Sequence, residues 1–191
     1  MFKNFSKNII LASKSPRRQA LLKELGIDFE VRTKEVEEVY PPELKKEQVA
    51  IYLSELKAKA FNEELTSKDL VITSDTIVCL EDRILGKPKN TEEAFVMLND
   101  LSGKKHEVIT AVTLMTKEKT TSFYDVTEVY FKTLTVEEIN YYIENYQPFD
   151  KAGSYGIQEW IGYIGIEKIV GSYFNVVGLP VEKLYKELEK F

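Results

Sequence analysis

The run from Leu70 to Leu80 limits the fold more than any other stretch of this chain, because it is the most strand-like segment and is apolar nearly throughout. Within it, Val71-Ile72-Thr73-Ser74-Asp75-Thr76-Ile77-Val78 carries a polar middle. A carboxylate at Asp75 is costly in such a strand unless it is paired, hydrogen-bonded or bound to a metal. A carboxylate satisfied by backbone or by an arginine fits the position, and so does a functional one. A functional carboxylate is expected at Asp75.

Around this strand the chain alternates helix and strand signals. Asn8 to Ala12 reads as a short buried strand leading into Ser13-Lys14-Ser15-Pro16. Ser15 suits an N-cap and Pro16 the first helical position, so a helix is expected from there to Gly26, a C-cap candidate. Ile27, Phe29 and Val31 alternate as a half-buried strand would, and Tyr40-Pro41-Pro42 marks a loop. Val49, Leu53, Leu56 and Ala60 trace one face of a long helix. Glu81-Asp82-Arg83 reads as a turn before Ile84-Leu85. Asn90 with Glu93 opens a helix ending near Ser102-Gly103. Val108 to Met115 and Ser122 to Thr133 read as strands joined by a hairpin at Lys117-Glu118-Lys119. Thr135 with Glu138 is a capping box for a helix through Ile139, Tyr142 and Ile143, which Pro148 stops. A glycine-punctuated stretch follows from Gly153 to Gly178 and contains an expected strand at Asn175-Val176-Val177. A last helix begins after Pro180, with Val181, Leu184 and Leu188 inward. The order of elements is mixed α/β, with both crossover and hairpin connections.

Composition narrows the function classes. The 191 residues are 43% hydrophobic, which suits one compact domain or two small lobes sharing a core. The formal net charge of -5 argues against a protein that grips long DNA or RNA, which would need a basic surplus or face. An anionic partner should therefore be small and held by a few placed cations. Cys79 is the only cysteine and His106 the only histidine, so cysteine-based zinc sites and multi-histidine metal sites are excluded. Any metal would be held by oxygen ligands, with magnesium or manganese expected. No stretch approaches the ~20 apolar residues that span a bilayer, and together with the scarcity of cysteine this points to a cytoplasmic protein without membrane attachment.

Several charges stand out by position. Arg17 and Arg18 occupy the first turn of their helix, where the dipole disfavours cations. With Ser13 and Ser15 beside them at the end of a buried strand, they point to an anion such as phosphate. Lys57 flanks an apolar stripe, where snorkelling is the ordinary explanation. Lys87 in Gly86-Lys87-Pro88 is a fixed charge or a surface turn. Glu37 and Glu38 lie in an acidic stretch that reads by default as solvated loop. In Asp150-Lys151-Ala152-Gly153-Ser154-Tyr155-Gly156-Ile157-Gln158, the glycines permit close approach to a ligand and Gln158 can both donate and accept. A plain glycine-rich connection is the alternative there.

Leu11-Ala12-Ser13-Lys14-Ser15-Pro16-Arg17-Arg18 resembles the opening motif of the Maf proteins, the septum-formation-inhibitor-like nucleotide pyrophosphatases. The resemblance continues through Ser74 to Val78, Gly86-Lys87-Pro88, Leu101-Ser102-Gly103 with His106, Asp150 to Gln158, and Gly171 to Pro180. It implies a single domain over residues 1–191, with an elongated mixed sheet flanked by helices and split into two lobes around a central cleft, as in the inosine triphosphate pyrophosphatases. It implies hydrolysis of dTTP and UTP to monophosphate and pyrophosphate with a divalent metal (Mg2+ or Mn2+), in an enzyme compatible with a homodimer. By motif, Asp75 matches the catalytic acidic residue. Glu38 (or its neighbour Glu37), Lys57 and Lys87 match other active-site positions, with Asp75 and Glu38 as metal holders. Arg17, Thr76 and Gln158 match positions tied to substrate choice, and Ser13 and Arg18 would contact phosphate. Two rival classes remain at this level. One is a regulatory interaction protein acting in cell-division arrest without catalysis, and the other a single-stranded nucleic-acid binder, which the acidic charge disfavours.

Overall fold

A computed structural model describes residues 7–191. Among these residues seven strands form one mixed sheet in the order β2 (Phe29–Val31), β1 (Asn8–Leu11), β3 (Asp69–Leu80), β5 (Lys105–Met115), β6 (Thr120–Phe131), β7 (Ile166–Val170), with the short β4 (Arg83–Leu85) paired to β3 off that path. The chain divides into two compact units whose boundaries fall within β3, β5 and β6.

The first unit comprises the chain through Asp75, Thr110–Asp125 and Gly178–Phe191. It holds β1 (Asn8–Leu11), α1 (Pro16–Glu24), β2 (Phe29–Val31), α2 (Glu47–Lys59), the first half of β3 (Asp69–Leu80) and α7 (Val181–Leu188). It also holds the end of β5 (Lys105–Met115), the hairpin, and the start of β6 (Thr120–Phe131). β1 pairs in parallel with both β2 and β3, Leu11 lying opposite Val31 on one side and Ile72 on the other. Because side chains alternate along a strand, Ile9, Leu11, Leu70 and Ile72 pack with Leu22 of α1 and with Leu184 and Leu188 of α7. Ile10 and Val71 point the other way, to Ala58, Phe61 and Leu65 at the end of α2 and beyond it. The continuous apolar character of Leu70 to Ile72 thus reflects burial on both faces. The hairpin closes where expected, with the Thr116 N–H donating to the Lys119 carbonyl at 2.8 Å.

The second unit comprises Thr76–Ile109 and Val126–Val177. Beyond the remaining halves of β3, β5 and β6 it contains β4 (Arg83–Leu85), α3 (Thr91–Leu101), α4 (Val136–Tyr146), α5 (Trp160–Gly165), β7 (Ile166–Val170) and α6 (Tyr173–Val177). Its core joins Val78 and Leu80 of β3, Leu98 and Leu101 of α3, Val129 and Phe131 of β6, and Ile139, Tyr142 and Ile143 of α4. The expected caps hold: Asn90 accepts from the Glu93 N–H, and Thr135 and Glu138 form a reciprocal capping box.

Two expectations for the glycine-punctuated stretch are corrected. Asn175-Val176-Val177 is part of α6, not a strand. The buried Asn175 Nδ2 donates to the Val108 carbonyl at 2.9 Å and to Thr127 Oγ1 at 3.0 Å, and these tertiary bonds outweigh the strand preference of two valines. The stretch also contains α5 and a true strand, β7, which runs antiparallel to β6 with Ile169 opposite Val129.

Candidate active site

Two side chains of β3 and two of α2 establish the first part of the site. Thr73 and Asp75 are two residues apart on a strand and so share a face, and Ser54 and Lys57 are three apart on a helix and so share a side. Thr73 Oγ1 donates to the Ser54 carbonyl at 2.6 Å, and Lys57 Nζ donates to Asp75 Oδ1 at 2.5 Å. A chain of hydroxyls secures α2 further. Ser54 Oγ meets Thr113 Oγ1 at 2.8 Å, Thr113 Oγ1 meets Ser122 Oγ at 3.0 Å, and Ser122 Oγ donates to Glu55 Oε1 at 2.8 Å. Lys57 is therefore aimed at Asp75 by the register of a helix pinned to the sheet, and snorkelling does not describe it.

Lys57 has a second carboxylate partner, Glu38 Oε1 at 3.0 Å. It is Glu38, not Glu37, whose carboxylate reaches the ammonium. Exposure falls steeply across the three side chains, from 45% at Glu38 to 19% at Lys57 and 10% at Asp75. The triad therefore reaches from solvent to the middle of the strand.

Ser74 lies on the opposite face of β3, toward α1. The Ser15 side chain caps α1 by accepting from the Arg18 N–H, and Ser13 Oγ accepts from the Ser15 N–H at 3.2 Å. No acidic residue occupies the first turn. Arg18 donates from Nε to the Gly178 carbonyl at 2.8 Å and from Nη1 to the Ser74 carbonyl at 2.7 Å, and Ser74 Oγ also reaches the Gly178 carbonyl. The expected pair of phosphate-facing arginines is thus divided in duty. Arg18 ties α1 to the residue before Asp75 and to the turn before α7, while Arg17 is half-buried beside it. Burial lowers the Arg18 pKa from its usual value. The Asp75 charge opposes that shift, neighbouring Arg17 adds to it, and Glu38 opposes it. Ser13, Arg18, Glu38, Lys57 and Asp75 thereby form one connected group within the first unit.

The other expected residues belong to the second unit. Thr76 follows Asp75 directly in β3 and is half-buried. Lys87 is exposed in the loop between β4 and α3, beside Gly86, whose carbonyl accepts from the Gly153 N–H at 3.0 Å. Gly153 itself sits at φ +68° against Val78, where a Cβ would approach the valine methyls to 3.0 Å. The loop bearing Lys87 is in this way joined to the loop bearing Gln158. Gln158 is half-buried, and its Nε2 lies over Gly156, so close that a Cβ there would meet it at 2.8 Å. His106 is buried and structural. Its Nε2 meets the Tyr155 hydroxyl at 2.7 Å, its ring stands edge-on to Phe131 and Tyr155, and burial pushes its pKa down to about 3.

Sequence reasoning passed over three residues around Gln158, namely Tyr142, Lys151 and Glu159. Lys151 is an almost fully buried lysine, with Nζ at 2.7 Å from Asp150 Oδ1 and 3.1 Å from Glu159 Oε1. The signal available was a lysine and a glutamate flanking the glycine-rich segment, which by position alone reads as ordinary loop charge.

The profile of the Maf-like protein family matches residues 8–191. The dTTP/UTP pyrophosphatase of Flavobacterium johnsoniae is 55% identical over 180 residues, covering 94% of this chain and 93% of that protein. The dTTP/UTP pyrophosphatase of Parabacteroides distasonis is 51% identical over 193 residues, covering 100% of each. Among solved structures, a nucleoside-triphosphatase (dITP/XTP pyrophosphatase) of Mycobacterium abscessus is 15% identical, covers 96% of this chain and 97% of that chain, and has a TM-score of 0.46.

Proposed function

The chain belongs to the Maf-like protein family, and on that premise we propose that it is a nucleoside triphosphate pyrophosphatase that converts dTTP and UTP to the monophosphate and pyrophosphate. The observation that carries the reading is Lys57 Nζ held between Asp75 and Glu38. A cation shared by two carboxylates, one of them in the middle of a buried strand, is an arrangement that a fold alone does not need.

The reaction is attack by water on the α-phosphorus. The new bond is from the water oxygen to that phosphorus, and the bond that breaks joins it to the oxygen bridging the α- and β-phosphates, which leaves with pyrophosphate. Asp75 accepts the proton of the attacking water. Lys57 orients Asp75 and neutralises charge beside it, and Arg17 and Lys87 balance the charge that builds on the leaving pyrophosphate. Ser13 donates to a phosphate oxygen. Arg18 acts by holding the Ser74 carbonyl, and so the backbone that carries Asp75. Thr76 and Gln158 read the pyrimidine, and a site built to hydrogen-bond one base discriminates because another base leaves its polar groups unpaired.

A divalent cation fits this donor set. No group of three or more His, Cys, Asp or Glu side chains able to hold a metal occurs among the described residues. Two carboxylates meeting on one ammonium nevertheless match the sparse protein ligation of magnesium or manganese, whose remaining positions go to water and substrate phosphates. Asp75 and Glu38 would hold the ion. When bound it would supply charge neutralisation to the triphosphate. The same reading assigns the enzyme to the cytoplasm. No described helix is long and apolar enough to cross a membrane.

A panel of nucleoside triphosphates assayed with magnesium or manganese, and with a chelator as control, tests the proposal. Monophosphate and pyrophosphate should rise together, fastest for dTTP and UTP. Stepwise orthophosphate release through a diphosphate would reject the reaction class.

A further inference from the structure

Gln158 sits in a segment tied down by one polar chain that is buried from Tyr142 to Lys151 and reaches solvent at Asp150. Tyr142, fully buried on α4, accepts the Gly156 N–H at its hydroxyl at 3.0 Å and donates the hydroxyl proton to Glu159 Oε2 in a short hydrogen bond. The other oxygen of Glu159 pairs with Lys151 at 3.1 Å, and Lys151 continues to Asp150 at 2.7 Å. Asp150 and Glu159 thus bracket the loop, and Tyr142 anchors its interior through the Gly156 N–H. The Glu159 N–H closes the turn by donating to the Gly156 carbonyl at 3.0 Å. A Cβ on Gly156 would meet Gln158 Nε2 at 2.8 Å and Glu159 Cδ at 2.9 Å, so the amide and the carboxylate pack against the same bare backbone.

A glutamine amide reads a base only if its donor and acceptor ends are held the right way round, and a half-exposed side chain on an unconstrained loop would present either. We infer that Glu159 is a positioning residue for substrate choice, joining Lys151 to Tyr142 and thereby fixing the Gly156–Gln158 turn that aims the Gln158 amide. The inference rests on the reading of Gln158 as a pyrimidine-recognising residue. Glu159 acts through Gln158, because both of its oxygens are already engaged by protein donors. Its two oxygens receive two different donors, the Tyr142 hydroxyl and the Lys151 ammonium, and a glutamine in its place has only one accepting end. Its amide N–H2 would either face the Lys151 ammonium, a donor, or take the Tyr142 hydroxyl as an acceptor and displace the proton that hydroxyl now gives to Glu159.

The test measures kcat/KM for dTTP and for ATP in Glu159→Gln, Tyr142→Phe, Gln158→Ala and the Gln158→Ala/Glu159→Gln double variant. The preference for dTTP should fall about tenfold in Gln158→Ala and in the same direction in Glu159→Gln and Tyr142→Phe, and Glu159→Gln should change it no further once Gln158 is alanine. An equal loss for both nucleotides in Glu159→Gln, or the same change of preference with and without Gln158, overturns the inference. A nucleotide-independent readout separates this from the reading of Gln158. In the wild type, the two Gln158 side-chain amide proton resonances should be displaced from the positions of a free glutamine, because the amide is packed against Gly156. In Glu159→Gln and Tyr142→Phe they should move toward those free positions. If Gln158→Ala leaves the preference unchanged, base recognition by Gln158 is wrong. If the amide resonances keep their wild-type positions in both other variants, the positioning role is wrong.

Discussion

Replacing Asp75 by asparagine should remove turnover while leaving the fold nearly intact, and the geometry of the triad sets the expected sizes. The Asp75 side chain is 10% exposed and Lys57 19%, so the pair is largely withdrawn from water. Breaking a buried pair by removing one partner costs about 3–5 kcal/mol when it leaves a charge uncompensated. Asp75→Asn does not do so, because Lys57 keeps Glu38 at 3.0 Å and the asparagine carbonyl still accepts from Nζ. The loss should therefore approach that of an exposed pair, about 1 kcal/mol or less, or roughly 2–4 °C in melting temperature for a chain of this size. Lys57→Met is the informative contrast. It leaves the Asp75 and Glu38 carboxylates facing one another without their cation, so about 3–5 kcal/mol should be lost, or roughly 6–20 °C at the same conversion.

The rates should rank differently. Loss of a positioned proton acceptor alone lowers turnover by roughly 10²–10⁴-fold, and loss of a metal ligand adds to that. Thermal melts and steady-state rates on the two variants decide the matter. If Asp75→Asn melted as early as Lys57→Met and kept its rate per folded molecule, Asp75 would be a structural ion-pair partner and the catalytic assignment would be refuted.

Two further outcomes follow from other parts of the structure. Arg18→Lys keeps the charge but cannot reach the Ser74 and Gly178 carbonyls with one planar fork, so urea titration should show a loss of about 1–2 kcal/mol, with turnover falling through misplacement of Asp75. Unchanged stability and rate would mean that Arg18 is not a strut. For His106, burial depresses the pKa from 6.5 to about 3, so between those values the unfolded chain binds the extra proton and stability must fall as pH is lowered through that window. Taking the wild type from pH 7 to pH 4.5 should therefore cost about 2–3 kcal/mol more than taking His106→Gln over the same interval, as read from urea unfolding at the two pH values. Parallel pH dependence in the two proteins would show that His106 is protonated without penalty in the fold.

What could be read from the sequence, and what could not, divides along the range of the interactions involved. Ser15, Pro16, Asn90 and the Thr135–Glu138 capping box act on backbone groups within one turn, and each starts the helix it was expected to start. Asp75 was conspicuous for a related reason: its cost arises from the apolar neighbours in its own strand. Its partner was not visible, because a lysine beside an apolar stripe looks the same whether it snorkels or points at a carboxylate. Only the crossing of α2 over β3, set by Thr73, Ser54 and Thr113, distinguishes the two. Asn175 failed for the same reason in reverse. Its local sequence favours a strand, and the bonds that make it helical reach residues 67 and 48 positions away.

Arg17 and Arg18 show how a correct anomaly can be given too simple a cause. Cations in the first turn of α1 oppose the helix dipole, and from sequence that conflict reads as an exposed turn that tolerates the cost or, with two arginines beside two serines, as a bound anion. The Arg18 guanidinium instead satisfies two backbone carbonyls, at residues 56 and 160 positions away, and lies in the field of Asp75 and Glu38. A substrate phosphate is then not the only charge that can offset the unfavourable end of the helix. Protein carboxylates already do part of this before any nucleotide arrives. Neutralising Asp75 therefore weakens the electrostatic support of Arg18 as well as that of Lys57. An Asp75→Asn, Arg18→Lys double variant should accordingly lose a different amount of stability from the sum of the single losses, by ~0.5 kcal/mol or more. Strict additivity in urea titrations would mean that the two groups do not sense one another across the Ser74 peptide.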